Sequence, residues 1–171
     1  AGRKLRFTYD SSDRITSIAD PIGRTVAYTY NAQRFLATFT NPEGGVTRYT
    51  YDAQNRLSQV TDPRNIVVAA NTYDANGRVV EQRLADGGRW TFAYVLVNPQ
   101  LPSSPVQETT VTDPLGHTTV YRFNPEGFLV DVTDALGQTR VFEREPGTNR
   151  LLSVKGIAGC AVCGAPGAGD E

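Results

Sequence analysis

Tyrosine, aspartate and arginine recur close together in this sequence, and side chains of these types could do chemistry. The stretch YTYDAQNRLSQVTDP, residues 49–63, combines Tyr-Asp, Asn-Arg and Asp-Pro within fifteen residues. Aromatic rings beside carboxylates could line a sugar site, and two carboxylates with separated pKa values could act as general acid and base. The same side chains could instead belong to a repeated structural unit, in which case they must recur at a fixed spacing.

The Tyr-Asp pair does recur at a fixed spacing. Tyr-Asp or Tyr-Asn starts at residues 9, 30, 51 and 73, which are 21 or 22 residues apart. A second mark, Asp-Pro-x-Gly or a variant of it, stands between successive pairs at residues 20–23, 41–44, 62–63, 86–88, 113–116 and 134–137. A period near 21 with two such marks predicts two short strands and two turns per repeat.

Both marks have the residue types of tight turns. In Asp-Pro-x-Gly, the aspartate can accept turn N–H groups, the proline presets φ and the glycine tolerates positive φ, as in a type I turn followed by a bulge. In YDAQNR and YDANGR, Asn55 and Gly77 stand where a bulged hairpin needs positive φ. Asp13 and Gly127 take the same place in their units. We therefore expect structural rather than catalytic aspartates.

The runs between the turns are rich in β-forming residues, and we find no helical stretch. Aromatic residues two apart, which share one face of a strand, are Phe7/Tyr9, Tyr28/Tyr30, Tyr49/Tyr51, Phe92/Tyr94 and Tyr121/Phe123. Stacked hairpins would align these rings in a ladder. The other strand carries apolar residues three apart, which suggests a bulge or burial on both faces: Ile15/Ile18, Leu57/Val60 and Leu129/Val132.

These patterns predict an all-β fold of antiparallel two-strand repeats, stacked into a continuous sheet over residues 1–155 in about six to seven units. One such hairpin is marginal alone, so stability must come from its neighbours. Because Ala1-Gly2-Arg3 begins in mid-pattern, we expect a segment of a longer chain. Seventeen basic against eighteen acidic residues give no reason to expect nucleic acid as a partner. No apolar run approaches the roughly 18 residues of a membrane span, so membrane insertion is not expected.

The pattern Y-D-x-x-[N/G]-R-[L/V], then [V/I]-T-D-P-x-G and Y-x-Y-D, resembles the bacterial RHS or YD repeat from about Phe7 to Ser153. This repeat also occurs in teneurin ectodomains and in the cocoon subunits of insecticidal toxin complexes. The resemblance implies a sheet that spirals into a hollow shell around a C-terminal toxin or cargo domain, in a large exported bacterial protein at the cell surface or outside the cell. The partners would be neighbouring repeats, of the same or an identical chain, at open β-edges.

Departures from the family pattern bear on catalysis. In four units an arginine follows the turn that begins at the Tyr-Asp mark: Arg14, Arg56, Arg78 and, one residue later than in the others, Arg150. In two units phenylalanine stands at this position: Phe35 and Phe128. A catalytic residue could not alternate with phenylalanine, whereas a side chain that packs or makes a cation–π contact could.

Self-cleavage is not implied for this segment. Some shells of the family end in a self-cleaving aspartyl site with a P-x4-D-P-x-G-L signature. DPLGH at residues 113–117 has Glu108 in place of the proline and ends in histidine. His117, the single histidine, has no nucleophile in a nearby motif. We predict no catalytic residue and no cofactor.

Three features lie outside the repeat. Cys160 and Cys163 stand in a Gly/Ala-rich tail, residues 156–171, as a single C-x2-C, which allows a disulfide or cross-link, half a metal site, or free thiols. Residues 95–107, with three prolines, interrupt the period, as a binding loop or a neutral hairpin extension. Trp90 and the tyrosines could stack on sugars, or pack across strands.

The leading prediction is a structural, non-enzymatic segment of an exported RHS-repeat protein, building a β-shell wall around a toxin or cargo. One alternative is an extracellular binding or assembly module that recognises glycans or forms fibres edge to edge. Another is part of a self-processing polymorphic toxin precursor.

Overall fold

The computed structural model describes residues 4–156. Within that range the chain forms fourteen β-strands and no helix: β1 (Arg6–Tyr9), β2 (Ile15–Ala19), β3 (Thr25–Tyr30), β4 (Leu36–Thr40), β5 (Val46–Tyr51), β6 (Leu57–Thr61), β7 (Val67–Tyr73), β8 (Val79–Leu84), β9 (Arg89–Leu96), β10 (Val106–Thr112), β11 (Thr118–Phe123), β12 (Leu129–Thr133), β13 (Thr139–Arg144) and β14 (Leu151–Gly156). The chain divides into two compact units, Ala1–Arg89 and Trp90–Glu171.

Strand order in each unit follows the sequence, and neighbouring strands run antiparallel. In the first unit, Tyr28 lies opposite Phe39 and Tyr49 opposite Val60. In the second unit, Tyr121 lies opposite Val132. The predicted all-β antiparallel fold is therefore confirmed, with two strands per repeat.

The turns have the predicted chemistry. The N–H of Gly23 donates to the carbonyl of Asp20 at 3.1 Å, and Gly23 has a φ of 91°. Asn55 and Gly77 adopt φ values of 62° and 82°, as the hairpin pattern requires. One turn departs from expectation, because Arg34 takes this position with a φ of 72°. A long side chain is uncommon in the left-handed region and is strained there.

The second strand of each repeat begins with a β-bulge. Thr8 lies opposite Ser17, but the next pair along the ladder is Tyr9 with Ile15, so one residue of β2 is skipped. The same shift occurs between β5 and β6, where Tyr51 lies opposite Leu57. The three-residue spacing of the apolar residues is thus explained by a bulge, which leaves the first carbonyl of the strand outside the regular ladder.

The two faces of the sheet differ in each unit. Because side chains alternate along a strand, Tyr28 and Tyr30 share one side, which we call the aromatic face. The opposite side, the polar face, carries hydroxyl pairs such as Thr29 with Thr38 at 2.6 Å. It also carries ion pairs, such as Arg122 with both Glu108 and Asp131 at 2.9 Å.

Neither face is covered by a second layer of the same unit. Among residues 4–156, no hydrophobic side chain is fully buried, and most strand residues are half-buried by their neighbours in the sheet. The apolar area removed from water therefore lies between adjacent strands and repeats rather than in a central core. A sheet of this kind gains stability from each repeat that is added.

The interruption at residues 95–107 is an ordered hairpin extension. Strand pairing continues into both of its ends, with Leu96 opposite Val106, and a compact turn spans 97–105. The Ser104 hydroxyl accepts a hydrogen bond from the N–H of Asn98 at 2.9 Å, and Ser104, which is 9% exposed, is the one buried residue in the part of the chain that the structure describes.

Candidate functional site

The aspartate of each Tyr-Asp pair organises the turn that follows it. One carboxylate oxygen of Asp52 accepts the N–H groups of Gln54 and Arg56, both at 2.9 Å. The other oxygen accepts Nε–H of Arg56 at 2.7 Å. Asp10 and Asp74 hold Arg14 and Arg78 in the same way. The carboxylate thus both caps the turn and fixes the direction of the arginine.

The arginine then lies against the tyrosine of the next repeat. The guanidinium carbon of Arg14 is 4.4 Å from the ring centroid of Tyr30, and that of Arg56 is 4.4 Å from the ring centroid of Tyr73. Both distances are within the range of a cation–π contact. Arg56 also donates from Nη1 to the carbonyl of Asp74 at 3.2 Å, whereas Nη1 of Arg14 is buried without a hydrogen-bond partner.

The tyrosine hydroxyl completes the contact by reaching the bulge of the preceding strand. Tyr30 donates to the carbonyl of Ile15 at 2.8 Å, Tyr51 to Leu36 at 2.9 Å and Tyr73 to Leu57 at 2.7 Å. These carbonyls lie at the bulge, where the regular ladder is interrupted. We use the name inter-repeat joint for this set of four groups. It consists of the turn residue, the side chain four residues after it, the side chain of the next repeat that contacts it, and the bulge carbonyl.

Where phenylalanine replaces arginine, the turn residue changes with it. Asn31 precedes Phe35 and Asn124 precedes Phe128, each amide oxygen accepting the phenylalanine N–H at 2.9 and 2.8 Å. The ring of Phe35 lies 5.1 Å from that of Tyr51. An uncharged amide keeps the cap but leaves no unpaired carboxylate beside an apolar ring, which explains why aspartate accompanies arginine and asparagine accompanies phenylalanine.

One joint of the second unit is reversed. Arg144 stands where other repeats have tyrosine, and its guanidinium carbon lies 5.3 Å from the centroid of Phe128. Its Nε–H donates to the carbonyl of Leu129 at 2.9 Å, which is the role of the tyrosine hydroxyl elsewhere. Cation and ring have exchanged places, while the contact and the hydrogen bond to the bulge are kept.

The electrostatics of the joint are those of a structural ion pair. The main-chain N–H of Arg56 is the largest influence on the Asp52 carboxylate, and with the arginine side chain it outweighs burial and lowers the pKa. The same balance lowers the pKa of Asp10. At neutral pH both are ionised acceptors with their oxygens already engaged. Burial raises the pKa of Tyr51, which keeps its hydroxyl protonated and able to donate. A general acid needs a carboxyl group with a raised pKa, which neither aspartate has.

The structure separates the other predicted site residues. His117 follows the Asp-Pro-x-Gly turn at residues 113–116, and its Nδ1 lies 2.9 Å from a carboxylate oxygen of Asp113. Arg24 takes the same place beside Asp20. Trp90 is half-buried in β9, in register with Phe92 and Tyr94 on the aromatic face. Its predicted sugar contact stays a prediction. Cys160 and Cys163 lie outside the described residues, and so do the predicted disulfide and metal half-site.

No described residues form a group of three or more potential metal ligands. Within residues 4–156 no helix is long and apolar enough to cross a membrane.

The sequence reasoning missed the joint as a unit. It identified the alternation of arginine with phenylalanine and proposed a cation–π role, but it did not connect this to the preceding Asp or Asn. That signal was present, because Asp10, Asp52 and Asp74 each precede an arginine by four residues, and Asn31 and Asn124 each precede a phenylalanine. The hydrogen bond to the bulge carbonyl leaves no trace in residue types.

Comparison with solved structures finds the same fold. A TcdB2-TccC3-Cdc42 crystal structure matches with a TM-score of 0.62 and 14% identity over 89% of this chain and 9% of the other. A TcdB2-TccC3-TEV crystal structure matches with a TM-score of 0.63 and 14% identity over 88% of this chain and 9% of the other. The structure of a Photorhabdus luminescens Tc holotoxin pore with a TccC3 mutation matches with a TM-score of 0.59 and 13% identity over 90% of this chain and 11% of the other. The chain thus spans about a tenth of these proteins, and comparison with curated proteins found no significant match.

Comparison with protein families gives one match along the sequence. The model of the RHS Repeat matches residues 9–45, 34–67 and 107–139, more than half of the chain. These matches include the joints at Arg14 and Phe35, the turn that carries Arg56, and the turn at Phe128. The chain belongs to the RHS-repeat family.

Proposed function

We propose that this chain is a segment of the wall of an exported bacterial RHS shell, and that the shell encloses a toxin or cargo domain. The inter-repeat joint carries the proposal. It commits the aspartate, arginine and tyrosine of successive repeats to contacts that hold one repeat on the next. Side chains committed in this way serve a continuous sheet rather than a reaction.

The single-layer sheet supports a wall. A globular domain would bury one face against a second layer, but none of the described hydrophobic side chains is fully buried. The polar face carries ion pairs and hydroxyl pairs, and the aromatic face carries rings and aliphatic groups. A sheet with two different faces suits a partition between two environments, with the polar face in water and the aromatic face toward the enclosed side.

The resemblance to TcdB2-TccC3 structures supports a shell wall as the setting, through the fold. Export, a location outside the cell and enclosure of a cargo are inferences from the family.

A non-catalytic role is supported by the way the titratable groups are used. Asp52 and Asp10 are ionised and saturated by turn N–H groups and arginine, so neither is available to donate or take a proton at neutral pH. The alternation of Arg14 and Phe35 at one position also favours packing over chemistry.

The test is protease protection in the full-length protein that contains this segment. We expect the region that follows the repeats to resist a non-specific protease in the intact protein and to be digested when it is expressed alone. Tyr73→Ala, which breaks a joint in the wall, should increase digestion, and Ile22→Asp, at an exposed turn tip, should leave it unchanged. Equal digestion of the region in the intact protein and alone would contradict enclosure.

A further inference from the structure

One turn of the first unit contains an asparagine that is followed by a glycine. Asn76 and Gly77 lie between β7 and β8, in the turn that Asp74 organises, and no other asparagine of the sequence precedes a glycine. The main-chain nitrogen after an asparagine can attack the side-chain amide, and it does so most readily in glycine, which has no Cβ to obstruct the approach. Asn76 is therefore the asparagine of this chain that is most prone to lose its amide.

The side-chain amide of Asn76 is free to turn toward that nitrogen. Asn76 is exposed, and among residues 4–156 only its main-chain N–H has a hydrogen-bond partner, Oδ1 of Asp74 at 2.8 Å. Other asparagine amides hold turns instead. The Oδ1 of Asn31 accepts the N–H of Phe35 at 2.9 Å, for example. An amide held in a cap in this way cannot reach the next main-chain nitrogen without breaking the turn.

The attacking nitrogen of Gly77 is held by one hydrogen bond. Its N–H donates to the carbonyl of Asp74 at 3.1 Å, and the same carbonyl also accepts Nη1–H of Arg56 at 3.2 Å. Apart from the adjoining residues, only Arg56 comes within 4 Å of the space where a Cβ of Gly77 would stand, with Cδ and Nη1 both at 4.0 Å. A guanidinium beside this nitrogen stabilises the amide anion that attacks.

We propose that Asn76 deamidates spontaneously in the folded chain and that the product loosens the joint between two repeats. The nitrogen of Gly77 loses its proton to hydroxide and forms a bond to Cγ of Asn76, while the bond from Cγ to Nδ2 breaks and ammonia leaves. Water then opens the cyclic imide at either of its carbonyl carbons. Opening at Cγ gives aspartate. Opening at the main-chain carbonyl gives isoaspartate, in which the chain runs through the former side chain.

Isoaspartate lengthens the main chain of this turn by one carbon atom. Two hydrogen bonds close the turn across Asn76: the N–H of Asp74 donates to the carbonyl of Arg78 at 2.8 Å, and the N–H of Arg78 donates to Oδ1 of Asp74 at 2.9 Å. An additional atom between these residues displaces one of them. Because the carbonyl of Asp74 also holds Arg56, the contact of Arg56 with the ring of Tyr73 weakens.

In a wall of repeats, this reaction is a slow and one-way change at a single joint. It needs only the turn and the preceding repeat, so the inference does not rest on the proposed function.

Incubation of the purified chain at mildly alkaline pH, followed by peptide mass spectrometry, tests the reaction. We expect the Asn76 peptide to gain the mass that separates an acid from an amide, as a mixture of aspartate and isoaspartate that electron-transfer fragmentation distinguishes. Asn76→Gln, whose longer side chain closes an imide far more slowly, should abolish this change.

Asn55 is an internal control. It lies in the equivalent turn of the preceding repeat and is also exposed, and its side chain forms no hydrogen bond within the described residues. Arg56 follows it in place of a glycine. We expect the Asn55 peptide to keep its amide under the same conditions.

The effect on the joint is measured by thermal unfolding. Ion exchange separates the deamidated chains, which carry one additional negative charge, from the unmodified chain. We expect a lower thermal midpoint for the deamidated fraction. Freshly purified Asn76→Asp has the same charge with a normal main chain, and it should keep a midpoint close to that of the unmodified chain.

Two results would overturn the proposal. The first is an Asn76 amide that stays intact in the folded chain over a period in which the urea-denatured chain is converted at the same pH. The second is a deamidated fraction that contains isoaspartate and yet unfolds at the midpoint of Asn76→Asp. Neither result bears on protease protection in the full-length protein, so the wall proposal is tested separately.

Discussion

The joint at Arg56 and Tyr73 in the first unit and the joint at Phe128 and Arg144 in the second perform one task with exchanged side chains. In the first, a cation from the turn covers a ring of the next repeat, and the ring's hydroxyl donates to Leu57. In the second, a ring from the turn is covered by a cation of the next repeat, and that cation donates to Leu129.

The difference separates what the joint requires from what is incidental. Each version stacks two flat groups, provides one donor to the bulge carbonyl and adjusts the turn residue to the charge beside it. The identity of the donor, hydroxyl or guanidinium, is interchangeable. This explains how the Tyr-Asp mark can be replaced by Arg144-Glu145 without loss of the strand pairing that follows.

Removing the group that both stacks and donates should have the largest effect. Tyr73→Ala deletes a half-buried ring, its contact with Arg56 and the hydrogen bond to Leu57, and we expect a loss of about 2–3 kcal/mol in the free energy of unfolding. Tyr73→Phe deletes the hydroxyl alone and should cost about 1 kcal/mol. Chemical denaturation followed by circular dichroism measures both. Equal losses for the two variants would show that the ring contributes nothing.

The reversed joint of the second unit can be rebuilt in the orientation of the first, with the cation on the turn and the ring on the next repeat. Phe128→Arg alone places a second cation beside Arg144 and should destabilise the chain by about 1–2 kcal/mol. Combining it with Arg144→Tyr and Asn124→Asp rebuilds the arrangement of the first unit and should recover most of that loss. The same denaturation experiment measures the free energy of unfolding of each variant. If the combined variant lost as much stability as the sum of its single substitutions, the cation and the ring would not be interchangeable.

The pairing of turn residue with charge predicts a smaller effect. Asp52→Asn keeps an acceptor for the turn N–H groups but removes the ion pair with Arg56, whose partners are each about a quarter exposed. We expect a lower thermal midpoint, by less than Tyr73→Phe causes. Asn31→Asp, which puts a carboxylate beside Phe35, should also lower the midpoint. An increase on Asn31→Asp would refute the charge rule.

Acid should weaken the two kinds of joint unequally. The pKa of Asp52 is lowered below its ordinary value of 3.8, so its contribution is present above that pH and is lost as the pH falls through the folded value. Asn31 and Asn124 do not titrate. We expect stability to fall below about pH 4, and the fall to be shallower in Asp52→Asn, as measured by denaturation across pH. If the free energy of unfolding fell equally with pH in the two proteins, protonation of Asp52 would not be coupled to unfolding.

The sequence was sufficient for the architecture because the repeat displays its turns and strands many times. The aspartates as turn acceptors, positive φ at Asn55 and the bulge at Leu57 all follow from local residue types, and the structure has each of them. For residues 95–107 the sequence allowed a binding loop or a neutral hairpin extension. The pairing of Leu96 with Val106 shows that the strands extend into this segment, and a binding role for it stays a prediction.

The joint was less accessible because it joins residues of different repeats. Nothing in a tyrosine's type says that its hydroxyl reaches a carbonyl fifteen residues earlier, as in Tyr30 and Ile15. The role of Arg144 was hidden for the same reason, since it breaks the residue pattern while keeping the geometry. Arg34 at positive φ is a further case in which the surrounding ladder overrides local preference.

The most direct test is a double-mutant cycle on Arg56 and Tyr73, which lie in successive repeats. Arg56→Ala, Tyr73→Leu and the double variant are compared with the unmodified chain in the free energy of unfolding. If the joint binds one repeat to the next, the two side chains should be coupled by about 1 kcal/mol, the size of a partly desolvated cation–π contact. Strictly additive losses would mean that the two side chains act independently, and the joint would not hold the wall together.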